Sequence, residues 1–579
     1  MPVALAARSW YRRGERTKKD HYAQLHTRLK EDRSSFDSHW QEIADFMLPR
    51  RIRRSVSDRN KGDKRNQNII NSAARFSIRT LQSGLHAGLT SPARPWMKLA
   101  TPDPDLAKFE PVKEWLHEVT RRMLDVFALT NLYNTLPIVY GDIGVFGTGA
   151  MSILPDDEEL CRTSQYPIGS YVIGLSKKGK ANTFLREYEL TVEQVVEEFA
   201  VRPGYRDIDR SVLSRTVLNL WDKGDDQAPV PLTWVVSPNR GRDPRAFYAA
   251  DRMPFVSCHY ETGESKESVF LRESGFEQFP IMAPRWDITG EDTYGTDCPG
   301  MSALGDVKQL QIEERRKGQA IQKMIDPALV GPAELRTQKT SLLPGDVTYI
   351  NIREGMQGLK PIHEVRIDIN HLTIDIDQVV YRIQRNFYED LFLMLARSDP
   401  RRGQQPITAR EVEERHEEKL IALGPVLDRT NDELLDPLVE RIYAMMEAAG
   451  MIPDPPDELD NVRLKVEYTS ILAQAQKLVG IAQIDRFFQS VLPMSEVAPE
   501  VLDKVDFMAA VDVYADTLGI DPHIIRTNEE ATQRTQARAQ QQQQAAQAEQ
   551  MEMMASAAQK AGNTPMQGDT ALKRLMGAG

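Results

Sequence analysis

Cysteine is scarce in this chain of 579 residues: Cys161, Cys258 and Cys298 are the only three, far apart and without a CxxC pair. Neither a disulfide framework nor a zinc site is suggested, and a reducing cytoplasm is the expected place of synthesis. Long apolar runs are also missing. No window approaches the ~18 consecutive apolar residues that a membrane-spanning helix needs. The opening MPVALAARSWYRRGER breaks into arginines after a short apolar stretch, so neither membrane insertion nor secretion is expected. Positive charge is in deficit, with a net charge of -11 and a pI near 5.6. A protein whose affinity came from neutralising phosphates would be basic, so any contact with nucleic acid is expected to be local or weak. What the chain does have is length and 41% hydrophobic content, enough to fill several cores rather than one.

Signatures of catalysis are equally thin. GDIGVFGTGA (Gly141 to Ala150) has the glycines of a phosphate loop but no Lys-Ser/Thr, and its spacing misses the dinucleotide fingerprint. A glycine-rich entry into a strand is expected there instead. Asp368, Asp375 and Asp377 follow no metal-loop spacing; helix capping, which favours negative charge at an N-terminus, accounts for them better. His416 lies among helical surface charges, and HExxH, GxSxG and Walker motifs are absent. No catalytic residue, metal ligand or cofactor is expected.

Periodicity makes the chain α+β and mainly helical. Residues 18 to 48 read as a helix with Leu25, Leu29, Phe36, Trp40, Ile43 and Met47 on one stripe, ending at Pro49. The arginine-rich run from Arg50 to Arg65 reads as a solvated loop in preference to a phosphate grip. Helices are expected over 66–90 and 111–129, separated by a segment with four prolines. From Gly141 to Pro284 the period changes, and hairpins are expected over Tyr171–Leu190 and over Phe255–Phe276, the second turning at Thr262-Gly263. Between them a capping box, Thr191 with Gln194, opens a short helix. After Gly300 two helices, Ser302–Asp326 and Asn370–Arg397, each about 25 residues and ~38 Å long, flank an insert of short β-like runs (Pro327–Ile369). This is the layout of an antiparallel helical pair with a small domain at its far end. Ile376, Val379, Ile383, Phe387, Leu391 and Met394 stripe the second helix. A polar loop, RSDPRRGQQP (Arg397 to Pro406), leads to a third helix opened by Thr408 and Glu411, expected to kink or break at Pro425 and Pro437. Further helices are expected over 470–519. The Gln/Ala/Met-rich tail should be disordered, or helical only against copies of itself.

Several stretches resemble the head-to-tail connector family of short-tailed bacteriophages, part of the wider portal superfamily. GLHAGLTSPARPWMKL (Gly84 to Leu99) is the most specific. WQEIADFMLP (Trp40 to Pro49), RWDITGEDTYGTDCPGMSALGDVKQLQ (Arg285 to Gln311) and the stretch Ile407 to Pro456 keep the family's order, although Asp297-Cys298 departs from its usual glycine-containing form. The resemblance implies a homo-oligomeric ring of about twelve subunits at one capsid vertex, through which double-stranded DNA is packaged and ejected. Terminase, a tail adaptor, and capsid and scaffolding proteins are the implied partners, with no membrane. It divides the chain into an N-terminal helical segment and basic loop (1–65), an α+β wing (66–299), a first stem helix (300–326), a clip (327–370) and a second stem helix (371–396). A tunnel loop (397–407), a kinked wing helix and exit (408–469), a helical crown (470–530) and a tail that is either a barrel or disordered (531–579) follow.

DNA is expected to meet the tunnel loop through Arg397, Arg401, Arg402, Gln404 and Gln405, weakly and without sequence preference, since tight phosphate binding would stall a polyanion in transit. Lys308, Arg315, Arg316, Lys317 and Lys323 of the first helix are further candidate channel charges; they alternate with Glu313 and Glu314 and alternatively pair between subunits. A packaging motor or nuclease would need a Walker loop or a metal-carboxylate cluster. Another virion component, such as an internal core or tail-tube protein, would explain the helices and the Gln-rich tail but not the SPARPW segment.

Overall fold

Both periods, the helical and the alternating, reappear in the computed structural model, which describes residues 18–53, 62–103, 106, 109–201, 208–263, 270–330, 360–361, 369–396, 423–459, 462–469 and 528–562, with isolated positions between 487 and 511. The chain divides into two units, Met1–Gln476 and Lys477–Gly579. In the first, α1 (Lys18–Phe46) buries Tyr22, Trp40, Ile43 and Ala44. Its Trp40 Nε1 donates to the Phe146 carbonyl at 2.9 Å. The start of the arginine run is anchored, not solvated: Ile52 is 2% exposed, and the Arg53 N–H bonds to the Ile168 carbonyl at 2.9 Å.

α2 (Ala73–Leu89) leads into the SPARPW turn. Trp96 is buried there, stacked on Phe127 and on Tyr468 with ring centroids 5.5 and 6.4 Å away. It opens β1 (Met97–Ala100), which pairs antiparallel with a strand at Lys465–Tyr468. Next come α3 (Glu110–Leu129), with proline in its first turn, and α4 (Leu132–Phe146), which carries Pro137 inside it. The expected glycine-rich strand entry is therefore the end of a helix. Gly141 to Phe146 finish α4, Gly147 caps it at φ +77°, and the strand starts only at Met151. Gly144 serves close packing: a Cβ there would lie 2.5 Å from Leu81 Cδ2.

β2 (Met151–Asp156) and β3 (Leu160–Gln165) form a small sheet with Ile281–Met282. The expected hairpins belong to one antiparallel meander of β4 (Tyr171–Leu175), β5 (Ala181–Thr191), β6 (Pro229–Pro238), β7 (Phe255–Glu261) and β8 (Arg272–Phe276). Between β5 and β6 the capping box at Thr191 is present and opens the single turn α5 (Val192–Val195). A π turn, Val196–Ala200, and then α6 (Arg215–Asp222) follow. These helices close a satellite core around Val192, Val217 and Leu232, while α1 contributes Tyr22 to a cluster with Val172, Leu185 and Val256.

After β9 (Ile281–Met282), α7 (Pro299–Ile325) begins with proline at its first position, where the missing N–H costs nothing. β10 (Leu329–Val330) and β11 (Lys360–Pro361) pair antiparallel, and α8 (Ile369–Asn386) returns. The expected single second helix is in fact two. Tyr388 adopts φ +55°, a left-handed conformation that ends α8 and lets α9 (Glu389–Ala396) start afresh. The stripe survives the break, with Ile376, Val379, Ile383, Phe387 and Leu391 all buried. Asp375 and Asp377 are not in the first turn of α8, which holds no acidic residue, so they do not cap it; Asp368 lies outside the described residues.

The Thr408–Glu411 box also lies outside them. Residues 423–430 are helical. A π turn, Asn431–Leu435, then passes directly into α10 (Asp436–Ala448), with Pro437 in its first turn. The chain therefore absorbs Pro437 by widening one turn instead of breaking, because the extra residue of a π turn relocates the missing hydrogen bond. β12 (Lys465–Tyr468) completes the pair with β1. In the second unit the Gln/Ala/Met-rich tail, expected to be disordered or helical only in company, forms the 35-residue α11 (Asn528–Gly562). Its Met551, Met553 and Met554 are exposed.

Candidate functional site

The helical pair α7 and α8 is the feature most unlike an ordinary core. It is antiparallel: Asp306, early in α7, accepts from Arg382 Nε, late in α8, at 2.9 Å, and Arg382 Nη2 donates to Gln309 Oε1 at 3.2 Å. Its near end is rooted deeply. A Cβ on Gly300 would meet the Val145 carbonyl at 2.2 Å, and one on Gly84 would overlap the Phe392 ring, so α7 and α9 lie directly against α4 and α2. Ser77 Oγ donates to Glu389 Oε2 at 2.6 Å at the start of α9. Gln311, 3% exposed, clamps the 70–71 backbone: its Oε1 accepts from the Ile70 and Asn71 N–H groups at 2.6 and 2.8 Å, and its Nε2 donates to the Asn71 carbonyl.

Toward the far end this burial stops. Ile312, Met324, Ile325, Leu329 and Val330 are exposed, as is Ile374 early in α8; Tyr381, beside Arg382, is exposed nearer the root. The antiparallel β10–β11 pair closes the two helices at that end and carries the segment 331–359, which lies outside the described residues.

The candidate channel residues separate into three groups. Arg397, Arg401, Arg402, Gln404 and Gln405 lie outside the described residues. Lys308 is engaged in the chain's own packing, its Nζ paired with Glu42 of α1 and 5.8 Å from the Phe46 ring centroid. Arg315, Arg316 and Lys323 are exposed and Lys317 half-exposed, and among the described residues none has an ion-pair partner. Glu313 and Glu314 do not pair with them inside the chain; Glu313 accepts from Gln309 at 2.6 Å and Glu314 from Asn71 at 2.9 Å.

Three arginines, Arg33 of α1, Arg285 and Arg441, are buried without having been expected from the sequence. Arg285 holds Glu433 of the π turn through its N–H, Nε and Nη2 at 2.9, 3.2 and 2.5 Å. Arg441 of α10 donates to the Ile153 and Gln278 carbonyls at 2.7 and 3.1 Å, and burial pushes its guanidinium down to about 10. Arg441 left a signal, since it interrupts the apolar stripe of Leu434, Leu438 and Ile442 at helical spacing. Arg285 left none. All three cysteines are free and buried. No group of acidic, His or Cys residues able to hold a metal occurs among the described residues, and no helix among them is long and apolar enough to cross a membrane.

Comparison with known proteins sets this geometry in context. The family profile described as "Bacteriophage head to tail connecting protein" matches residues 19–525. The chain is 40% identical over 562 residues to the portal protein of Salmonella phage epsilon15, covering 97% of this chain and 98% of that one. It is likewise 40% identical over 546 residues to the probable portal protein of Bordetella phage BPP-1, covering 94% and 95% respectively. Among solved structures, a chain from a virion of a native gene transfer agent particle aligns at 12% identity and a TM-score of 0.27, covering 69% of this chain and 93% of that one.

Proposed function

Because the chain belongs to the bacteriophage head-to-tail connecting protein family, we propose that about twelve copies close into a cyclic ring at one capsid vertex and form the passage for double-stranded DNA during packaging and ejection. Its function is that of a portal connecting phage head to tail, and the family is a structural one. We assign it no reaction and no cofactor.

The observation that carries the ring is the helical pair. Its distal apolar residues and the cations Arg315, Arg316 and Lys323 have no partner within the described chain, which is the condition of a surface completed by a neighbour. The segment that joins β10 to β11 at the end of that pair is the one we assign to docking terminase first and a tail adaptor later. Capsid and scaffolding proteins are the further partners we assign, and the head-tail vertex of the virion the location. We assign the DNA contact to Arg397–Pro406, whose sequence carries three arginines and one aspartate. Repeated around the axis, that small excess gives a weak, salt-sensitive grip that still permits sliding.

The test is mass and shape in solution. Native mass measurement and negative-stain imaging of the full chain should give closed rings of about a dozen copies. A stable monomer under every salt condition tried would overturn the proposal.

A further inference from the structure

Central strand β6 ends at Pro238 and β7 starts at Phe255, and the connection between them is built with unusual thoroughness. Asn239 Nδ2 donates to the carbonyls of Ala250, Asp251 and Met253 at 2.9, 3.1 and 3.1 Å. The Asn239 N–H reaches the Pro254 carbonyl at 2.7 Å, and that of Asp243 reaches Asp251 at 2.9 Å. Arg242 Nε donates to the Arg252 carbonyl at 2.9 Å. The turn Ala249–Arg252 sits so close to β8 that a Cβ on Gly275 would lie 2.6 Å from the Ala249 carbonyl.

This fixed frame presents Phe247 and Tyr248 to solvent at 89% and 71% exposure, their ring centroids 5.5 Å apart. Arg240, Arg242, Arg245 and Arg252 are exposed around them, against Asp243 and Asp251. Two aromatic rings held rigidly in water gain nothing for a lone chain. Aromatic residues with arginine, pre-ordered, are the composition of a binding hot spot.

The opposite end of β6, about 30 Å away at 3.3 Å per residue, has the complementary charge. Glu193, Glu197, Glu198, Asp222 and Asp225 are exposed there and Asp226 is half-buried. Glu198 pairs with Arg272 and Asp222 with Arg210. Among the described residues Glu197, Asp225 and Asp226 have no ion pair; Arg215 and Lys223, at the two ends of α6, are the cations here that have none either, and with Arg210 and Arg272 they are still outnumbered by the carboxylates.

We propose that the 239–254 loop of one copy docks on the acidic α5–α6 end of the sheet of a second copy. Two complementary patches at opposite ends of one strand cannot satisfy each other within a chain, and as unlike patches they join copies head to tail, the contact that closes rings. The inference rests on the ring proposed above and adds the surface by which neighbouring sheets meet.

The test uses full-length protein. Arg245→Glu with Arg252→Glu, and separately Glu197→Arg with Asp225→Arg, should each raise the concentration at which rings form in sedimentation velocity by about tenfold or more, with unchanged circular dichroism. A chain carrying both reversals should recover assembly, because the swapped charges again complement each other. Phe247→Ser, which removes a side chain that supports no core, should weaken assembly while leaving the unfolding midpoint in place.

The inference is overturned if wild-type chains form rings and either reversal leaves the assembly concentration unchanged. Failure of the double swap to recover would also sink it. So would intact rings that have lost retention of a double-stranded DNA probe, since the loop would then be a phosphate contact. Absence of rings in the wild type would fail the ring itself, a distinct result.

Discussion

Glu433 receives three hydrogen bonds from a single residue, Arg285, and ties the π turn to the segment that enters α7. The Arg285 side chain is only 4% exposed, so Glu433→Ala leaves a buried guanidinium without its counter-charge. A loss of about 3–5 kcal/mol is expected in denaturant unfolding; a midpoint like that of the wild type would show the pair to be dispensable. Asp142 makes a different prediction. It is buried, and desolvation pushes its carboxyl up from 3.8 to about 6 against the opposing pull of Arg51, 3.3 Å away, and of Gln165, which donates to it at 2.6 Å. A raised carboxyl pKa means that the folded state holds its proton longer than the unfolded chain. Its contribution is fully present below pH 3.8 and is lost as pH rises through about 6. Asp142→Asn should therefore gain on the order of 2–3 kcal/mol over wild type at pH 8 and much less near pH 4.5, read as the difference between unfolding curves at the two values. For the channel, Arg401→Ala with Arg402→Ala should leave rings intact and lower DNA retention in filled heads. Unchanged retention with weaker rings would make those arginines structural.

Among the elements, long amphipathic helices and strong caps were legible in the residues, and local exceptions were not. The stripe of α1, the box at Thr191 and Gln194 and the two hairpins were there to be read, because each is a short-range pattern that tertiary packing reinforces. The break at Tyr388 was hidden, since the stripe of buried residues runs through it unaltered. The end of α4 resembles a strand entry in sequence because its glycines look like a loop, whereas close approach to Leu81 is what demands one of them. The site was legible as a pattern of two matched helices around an insert, while its anchoring at Gly84 and Gly300 depends on contacts across more than a hundred residues of sequence. Removing residues 333–360 takes Lys360 from the β10–β11 pair but spares the helices rooted on α2 and α4, so rings and heads should still form while packaging or tail attachment is abolished in complementation assays. Persistence of both would remove terminase and adaptor docking from this segment.

For the molecule as a whole, a net charge of -11 is the sign the proposed DNA passage requires, since a polyanion would move along such a wall without being held. The C-terminal helix should be the first part trimmed. Most of the described side chains of Asn528–Gly562 are exposed, so a brief protease treatment of intact rings is expected to cut within it before touching the first unit; full protection would mean that copies pack it into a shared bundle. The pairing of β1 with β12 also reaches into how the protein is made. Met97 lies opposite Tyr468, so a ribosome that has finished the SPARPW turn must add about 370 more residues, on the order of 20–75 s at 5–20 residues per second, before the partner strand emerges. Until then one face of Trp96 waits for the Tyr468 ring. A nascent subunit therefore lacks part of its Trp96 packing until synthesis has passed Tyr468, and the proposed ring would draw on chains that have reached that stage.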